Sequence, residues 1–316
     1  MKIISCFSDL KEIGPLAAAG AAELYCAVKP LIAFGEAASL PDISEFRRAS
    51  RRAHGLGLKI SVAVNALRLR CNVSEAQRMA AICAEADDAG ADAFIISNLS
   101  ALKIFSDYGF KPKAALHLSS VQPCFNSVAA AFFIRLGFSR LILPNQLAPR
   151  EAGALLRLAR KKRIETEIFD YRFFGCAYIN GRCHLHQPVF YRLRARRPEG
   201  SLCRVNIPVG KRLKLLDLVK GETNAALART AARTLSARLA CGGAPRMANA
   251  AAFYDYYTAG VNFLKYGTRE DSPAVKVQKV GKVRDMLALA EKLSADLGAE
   301  KARDVFIEKM TAWKGS

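Results

Sequence analysis

Short apolar runs punctuate the chain, and longer stretches with 3.6-residue apolar spacing separate them. The runs lie at 2–7, 23–28, 59–64, 92–97, 114–118, 140–144, 165–169 and 262–266, each of a length suited to one buried strand. Between them, 74–88 and 148–161 carry their apolar residues on one helical face. One joint recurs: an apolar helical tail, a glycine, then a strand. It reads Ala19-Gly20-Ala21-Ala22-Glu23-Leu24-Tyr25 and Ala89-Gly90-Ala91-Asp92-Ala93-Phe94-Ile95. It returns as Leu136-Gly137-Phe138-Ser139-Arg140-Leu141-Ile142 and Ala259-Gly260-Val261-Asn262-Phe263-Leu264-Lys265. A glycine there closes the helix in the left-handed conformation before the strand begins.

Eight strands alternating with helices predict an α/β fold with a parallel sheet, and eight fits closure into a TIM-barrel-like (β/α)8 barrel. A doubly wound open sheet is the alternative, but no Gly-rich phosphate fingerprint follows the first strand. The chain reads as a single barrel domain over 1–316. A segment at 170–258 is inserted between the last two strands, with a helix at 222–238 inside it, and 272–313 forms two C-terminal helices. Chemistry in such a barrel gathers where strands end. Those ends are Tyr25, Asn65, Asn98, His117, Asn145 and Glu167. The same positions also suit a chain that is simply leaving its core.

Composition sharpens this picture in two places. At 51% hydrophobic residues and 24% charged ones, the chain is no disordered polymer. The longest apolar runs, such as 128–134, are far shorter than the ~20 residues of a membrane span. The start alternates like a strand and has no secretion signal, so a cytoplasmic location is expected. Two features need an account: a net charge of +20 and nine cysteines. A reducing compartment argues against a disulfide framework. Cys176, Cys183, Cys203 and Cys241 all fall inside the insertion, whereas Cys6, Cys26, Cys71, Cys83 and Cys124 are dispersed. Cys6, Cys26 and Cys83 read as buried thiols. By spacing alone the four inserted cysteines suit a metal, either structural zinc with His184 or His186, or an iron–sulfur cluster.

Several of these pieces together resemble peptidase family U32, the collagenase-like proteins, and within it the oxygen-independent hydroxylases of ubiquinone biosynthesis. The resemblance runs over nearly the whole chain. It is carried by the strand ending in Tyr25, the strand ending in Asn65, the Gly90-Ala91-Asp92-Ala93 strand and the His117-x-Ser119 strand. Its most specific piece is Glu167-x-Phe169 followed by Cys176, by Gly181-Arg182-Cys183, and by Cys203 and Cys241. The resemblance implies that these four cysteines hold a 4Fe–4S cluster. It implies hydroxylation of an aromatic ring without dioxygen, with prephenate as the oxygen donor, on a quinone precursor, a transfer-RNA uridine or a ribosomal cytidine. A heterodimer with a paralogous family member is a further implied partner, and a non-catalytic electron-relay subunit a further reading. His117 is the leading acid–base candidate, because a strand-end imidazole titrates near neutral pH. Asn65 would hydrogen-bond the ring, and Glu167 completes the catalytic candidates.

The chain departs from the family pattern at several positions. The Gln of His-x-Ser-x-Gln has moved one place to Gln122, and the closing Lys-Ile-Glu-Gly-Arg has become Lys265-Tyr266-Gly267-Thr268-Arg269, without the acid. His184-Leu185-His186-Gln187-Pro188 replaces Ser-rich sequence. No zincin motif, nucleophile elbow or catalytic aspartate pair supports a peptidase. Positive charge gathers at Arg192, Arg194, Arg196, Arg197, Arg204, Lys211, Arg212 and Lys214, beside Phe190 and Tyr191. That run, with Arg194, Arg196 and Arg197 at its centre, suits RNA phosphates, an anionic small molecule, an acidic partner or plain solvation. A second basic stretch, 47–59, reads as an exposed helical face.

Overall fold

The computed structural model describes residues 1–29, 31, 33, 39–66, 72–171, 249–267 and 271–313. Its strands are β1 (Lys2–Cys6), β2 (Ala21–Val28), β3 (Ser39–Leu40), β4 (Lys59–Val64) and β5 (Ala93–Ile96). They continue as β6 (Ala115–Leu118), β7 (Phe138–Ile142), β8 (Glu165–Phe169) and β9 (Phe263–Tyr266). The helices are α1 (Ile13–Ala19), α2 (Ile43–Gly55), α3 (Val73–Asp88), α4 (Ser100–Asp107) and α5 (Ser127–Arg135). After them come α6 (Pro149–Lys161), α7 (Ala250–Thr258), α8 (Pro273–Leu297) and α9 (Ala299–Trp313).

The recurring joint is a left-handed cap. Gly20, Gly90, Gly137 and Gly260 have φ of 111°, 94°, 91° and 80°. At Gly90 the space is also closed: a Cβ would sit 2.6 Å from Ser50 Oγ. Gly90 N donates to Asp87 O and Ala91 N to Ala86 O, each at 3.0 Å, so the last carbonyls of α3 are satisfied as β5 begins. Every described strand pairing is parallel, in the order β1-β9-β8-β7-β6-β5-β4-β2, and β1 pairs with β2 to close the ring. Eight staves therefore make a barrel, as the alternation predicts. The short β3 extends the C-terminal end of β2.

Leu24 and Cys26 on β2 belong to the apolar layer under the helices, as do Ile60 and Val62 on β4. Phe94 on β5 meets Phe105 and Phe110 there, at ring separations of 6.3 and 6.1 Å. On α2, Phe46, Ala49 and Ala53 are buried while Arg47, Arg48, Arg51 and Arg52 face solvent. The exposed basic face thus belongs to a helix ending at Gly55, and Lys59 already starts β4. The predicted pair of C-terminal helices is α8 and α9. Lys276 in α8 anchors that pair: buried, its Nζ donates to Glu12 at 2.8 Å and to Ser8 Oγ at 3.0 Å. The crossover into β9 is α7, at the end of the proposed insertion, whereas 222–238 lies outside the described residues.

Candidate active site at the carboxyl-terminal end of the barrel

The inner face of the staves is polar. Arg140 on β7 is 2% exposed, yet it carries a full charge to the barrel axis. Its Nη1 and Nη2 donate to the two oxygens of Glu23 on β2, at 2.6 and 2.9 Å. Nε and Nη2 donate to Glu165 at 2.9 and 2.7 Å, and Nη1 reaches Glu167 at 3.3 Å. The guanidinium carbon stands 3.6 Å over the Phe263 ring. Burial pulls this guanidinium's pKa down, but the Glu23 hydrogen bonds and the charges of Glu167, Glu23 and Glu165 outweigh it and raise it.

One layer nearer the mouth, Lys265 on β9 donates to the other oxygen of Glu167 at 2.8 Å. Its ammonium lies 4.0 Å from the centre of the Tyr25 ring and 5.9 Å from that of Phe169. Glu167 is therefore a carboxylate gripped on both oxygens, which suits holding Lys265 in place more than taking a proton. Tyr25 donates to Gly267 O at 3.3 Å. Gly267 stands where the family pattern has its acid, and the Phe169 ring fills that space: a Cβ there would meet Cε1 at 2.9 Å.

The opposite half of the mouth is built from small polar groups that directly follow β4, β5 and β6. Asn65 Nδ2 donates to Ser119 Oγ at 3.3 Å, and Ser97 Oγ donates to Ala66 O at 2.9 Å. His117 precedes Ser119 on the same inner face and is buried. Burial first, then the charges of Arg140, Lys265 and Lys59, hold its imidazole well below the ordinary range. The strand-end expectation of near-neutral titration thus meets a different environment: the ring is neutral, a hydrogen-bonding group and a neutral base.

Among the other strand-end residues, Asn98 accepts from Ser100 N at 3.0 Å and shapes the turn into α4. Asn145 lines a small cavity with Phe169, Tyr171, Asn249, Phe253 and Tyr256. Its buried Nδ2 has no hydrogen-bond partner among the described residues. Tyr171 follows β8 and Asn249 caps α7, its Oδ1 accepting from Ala252 N at 2.8 Å. The two described ends of the chain that flank 172–248 thus meet on one cavity beside the mouth.

Cys176, Cys183, Cys203 and Cys241, with Arg194, Arg196 and Arg197, lie outside the described residues. The described thiols Cys6, Cys26, Cys83 and Cys124 are buried and unbridged. Burial pushes Cys83 and Cys124 up to about 12, so they stay protonated and are poor metal ligands. No group of three or more His, Cys, Asp or Glu suited to a metal occurs among the described residues. Four cysteines in the segment tethered at the mouth are a donor set that fits an iron–sulfur cluster. Arg140 carries no signal as a strand-end residue, whereas Lys265 stands in the closing family motif.

The sequence profile of peptidase family U32 matches residues 8–225. The chain belongs to peptidase family U32. Among solved structures, this U32 chain is similar to the U32 peptidase Mk0906, at 12% identity over 54% of this chain and 68% of that one, with a TM-score of 0.44. It is also similar to an HpcH/HpaI aldolase from Desulfitobacterium hafniense DCB-2, at 10% identity over 53% and 77% of the two chains, with a TM-score of 0.35. No curated protein matches the chain. No helix of the described residues is long and apolar enough to cross a membrane.

Proposed function

We propose that this U32 protein is an iron–sulfur oxidoreductase that hydroxylates an aromatic small molecule of the quinone-precursor type without dioxygen. The observation that carries the reading is the build of the mouth. Aromatic faces and an ammonium stand on one side (Tyr25, Phe169, Lys265), amide and hydroxyl groups on the other (Asn65, Ser97, Ser119), and the cysteine segment is tethered at its edge. A planar ring stacks on the first half and aligns its polar substituents with the second.

Held by Cys176, Cys183, Cys203 and Cys241, a 4Fe–4S cluster would supply one-electron transfer, passing to an external electron acceptor the two electrons released when a ring C–H becomes C–OH. The chain's own residues bind and orient. Lys265, fixed by Glu167, offers its positive charge to a carboxylate or phenolate of the ring substrate or of the prephenate oxygen donor. Asn65 positions a ring oxygen. His117, neutral on the inner face, accepts a proton through its unprotonated ring nitrogen.

The test is anaerobic purification followed by turnover. The protein should contain about four irons and absorb near ~400 nm. Oxygen-18 in the hydroxyl of prephenate should appear in the hydroxylated ring. A colourless, one-zinc protein, or product whose oxygen is unlabelled, would sink the reading. RNA bases are the second reading, favoured by the Arg194, Arg196 and Arg197 run.

A further inference from the structure

One buried donor beside the mouth is left unused by the described fold. Asn145 follows β7 in a turn that is fixed twice: Leu147 N donates to Pro144 O at 3.1 Å, and Tyr256 Oη on α7 donates to Leu147 O at 2.8 Å. The side-chain Nδ2 is buried and has no hydrogen-bond partner among the described residues. A buried N–H left without an acceptor loses its water and gains nothing in return. An apolar side chain would fill such a place at lower cost, so a donor kept there calls for an acceptor or a redox role.

The cavity that Asn145 lines is about 20 Å³, room for one acceptor atom rather than a molecule. Much of its wall is apolar, from Leu143, Leu147, Ile168, Phe169 and Phe253. Two of its polar groups are engaged within the fold, Tyr256 Oη with Leu147 O and Asn249 Oδ1 with Ala252 N at 2.8 Å. Tyr171 and Asn249 bring the two flanks of the cysteine segment to the same wall. Cys176 stands five residues beyond Tyr171, so on covalent length alone the two Cα atoms lie within roughly 18 Å. A sulfur carrying negative charge suits this place, because a charged acceptor makes the stronger hydrogen bond and a single atom fits the space.

We infer that Asn145 donates its side-chain N–H to a sulfur of the iron–sulfur cluster and thereby raises the cluster's reduction potential. This rests on the proposed function, in which Cys176, Cys183, Cys203 and Cys241 hold that cluster. An N–H aimed at sulfur stabilises the added electron of the reduced form more than it stabilises the oxidised form. The fixed turn keeps the donor aimed in both states, so little reorganisation accompanies electron transfer. Asn145 supplies no ligand to iron, so cluster content does not depend on it.

The test is a redox titration of the anaerobically purified holoprotein, with electron paramagnetic resonance of the reduced cluster. Asn145→Leu should keep its full iron content yet become about tenfold harder to reduce, a fall of about 59 mV for a one-electron couple. In protein exchanged into deuterated water, one deuteron coupling to the reduced cluster should vanish in the same variant. Tyr256→Phe loosens the same turn without removing the donor, and should leave potential and coupling as in wild type. A lower melting midpoint in Asn145→Leu with both readouts unchanged would overturn the inference and leave Asn145 the partner of a bound water. Equal falls in Asn145→Leu and Tyr256→Phe would also overturn it, since packing rather than the N–H would then set the potential. Protein that binds no iron fails the proposed function and this inference together, whereas full iron with an unchanged potential fails the inference alone.

Discussion

Arg140 and Glu23 stand on β7 and β2, four staves apart whichever way the ring is followed, and their side chains meet in a two-bond fork. The pair crosses the full width of the barrel and ties its two halves through the axis. Both groups are almost fully buried, so solvent does little to screen them. Removing one partner leaves the other charge uncompensated, which typically costs about 3–5 kcal/mol. Arg140→Met should therefore lower unfolding free energy by roughly that amount in urea titration. Arg140→Lys should recover little, since a point charge cannot reproduce the planar fork. Glu23→Gln combined with Arg140→Met should cost less than the sum of the two single changes. A loss below about 1 kcal/mol for Arg140→Met would mean the strut is dispensable.

His117 makes stability depend on pH. Its pKa in the folded barrel lies well below the ordinary value, so between that depressed value and about 6.5 the unfolded chain binds the proton and the folded chain does not. Stability from this group is complete above about pH 6.5 and falls as pH drops through that window. His117→Gln should flatten the slope of melting midpoint against pH just below 6.5, measured as a difference from wild type so that carboxylate titrations cancel. An unchanged slope would place His117 in a solvated setting.

How far the sequence foretells this arrangement depends on the range of the interactions. Buried parallel strands are near-continuous apolar runs, so the eight staves are legible, and the glycine joints mark where each begins. Where boundaries moved, local chemistry explains it. The run at 140–144 is in fact Phe138–Ile142, because the strand starts straight after Gly137 and Pro144 has no N–H to continue a ladder. The two-residue β3 has no periodicity to detect. Arg140 is illegible for a different reason: a lone arginine in a strand looks like a solvent edge. Its partner Glu23 is 117 positions away. His117 shows the converse, a residue read at a strand end whose environment is set by burial first and then by cations from three other staves.

The four-cysteine assignment separates cleanly by substitution. Cys176→Ala, Cys183→Ala, Cys203→Ala or Cys241→Ala should each reduce iron in anaerobically purified protein, since in the proposed function each thiolate would hold one corner of the cluster. Cys83→Ala and Cys6→Ala should leave iron unchanged, because both thiols are buried among apolar side chains. Iron lost equally in both groups would mean that folding, not ligation, is being measured.

Gly267 tests whether the mouth receives a ring. An added Cβ would stand 2.9 and 3.2 Å from Phe169 Cε1 and Cδ1, and 3.6 Å from the Tyr25 hydroxyl. The obstacle is the tip of one partly exposed ring, so Phe169 can swing aside and the fold should tolerate Gly267→Ala with a loss of about 1 kcal/mol or less. The change falls instead on the ring that Lys265 approaches to 5.9 Å. Binding of 4-hydroxybenzoate, followed by nuclear magnetic resonance line shifts, should weaken several-fold in Gly267→Ala. Phe169→Leu should weaken it as well, by loss of the stacking face, which is worth about 0.5–1.5 kcal/mol. If both changes act through that one ring, the double variant should be little worse than Phe169→Leu alone, because a leucine has no ring tip for the new Cβ to displace. Additive losses would mean that Gly267 acts elsewhere, and unchanged binding in all three would remove the aromatic half of the mouth from the substrate site.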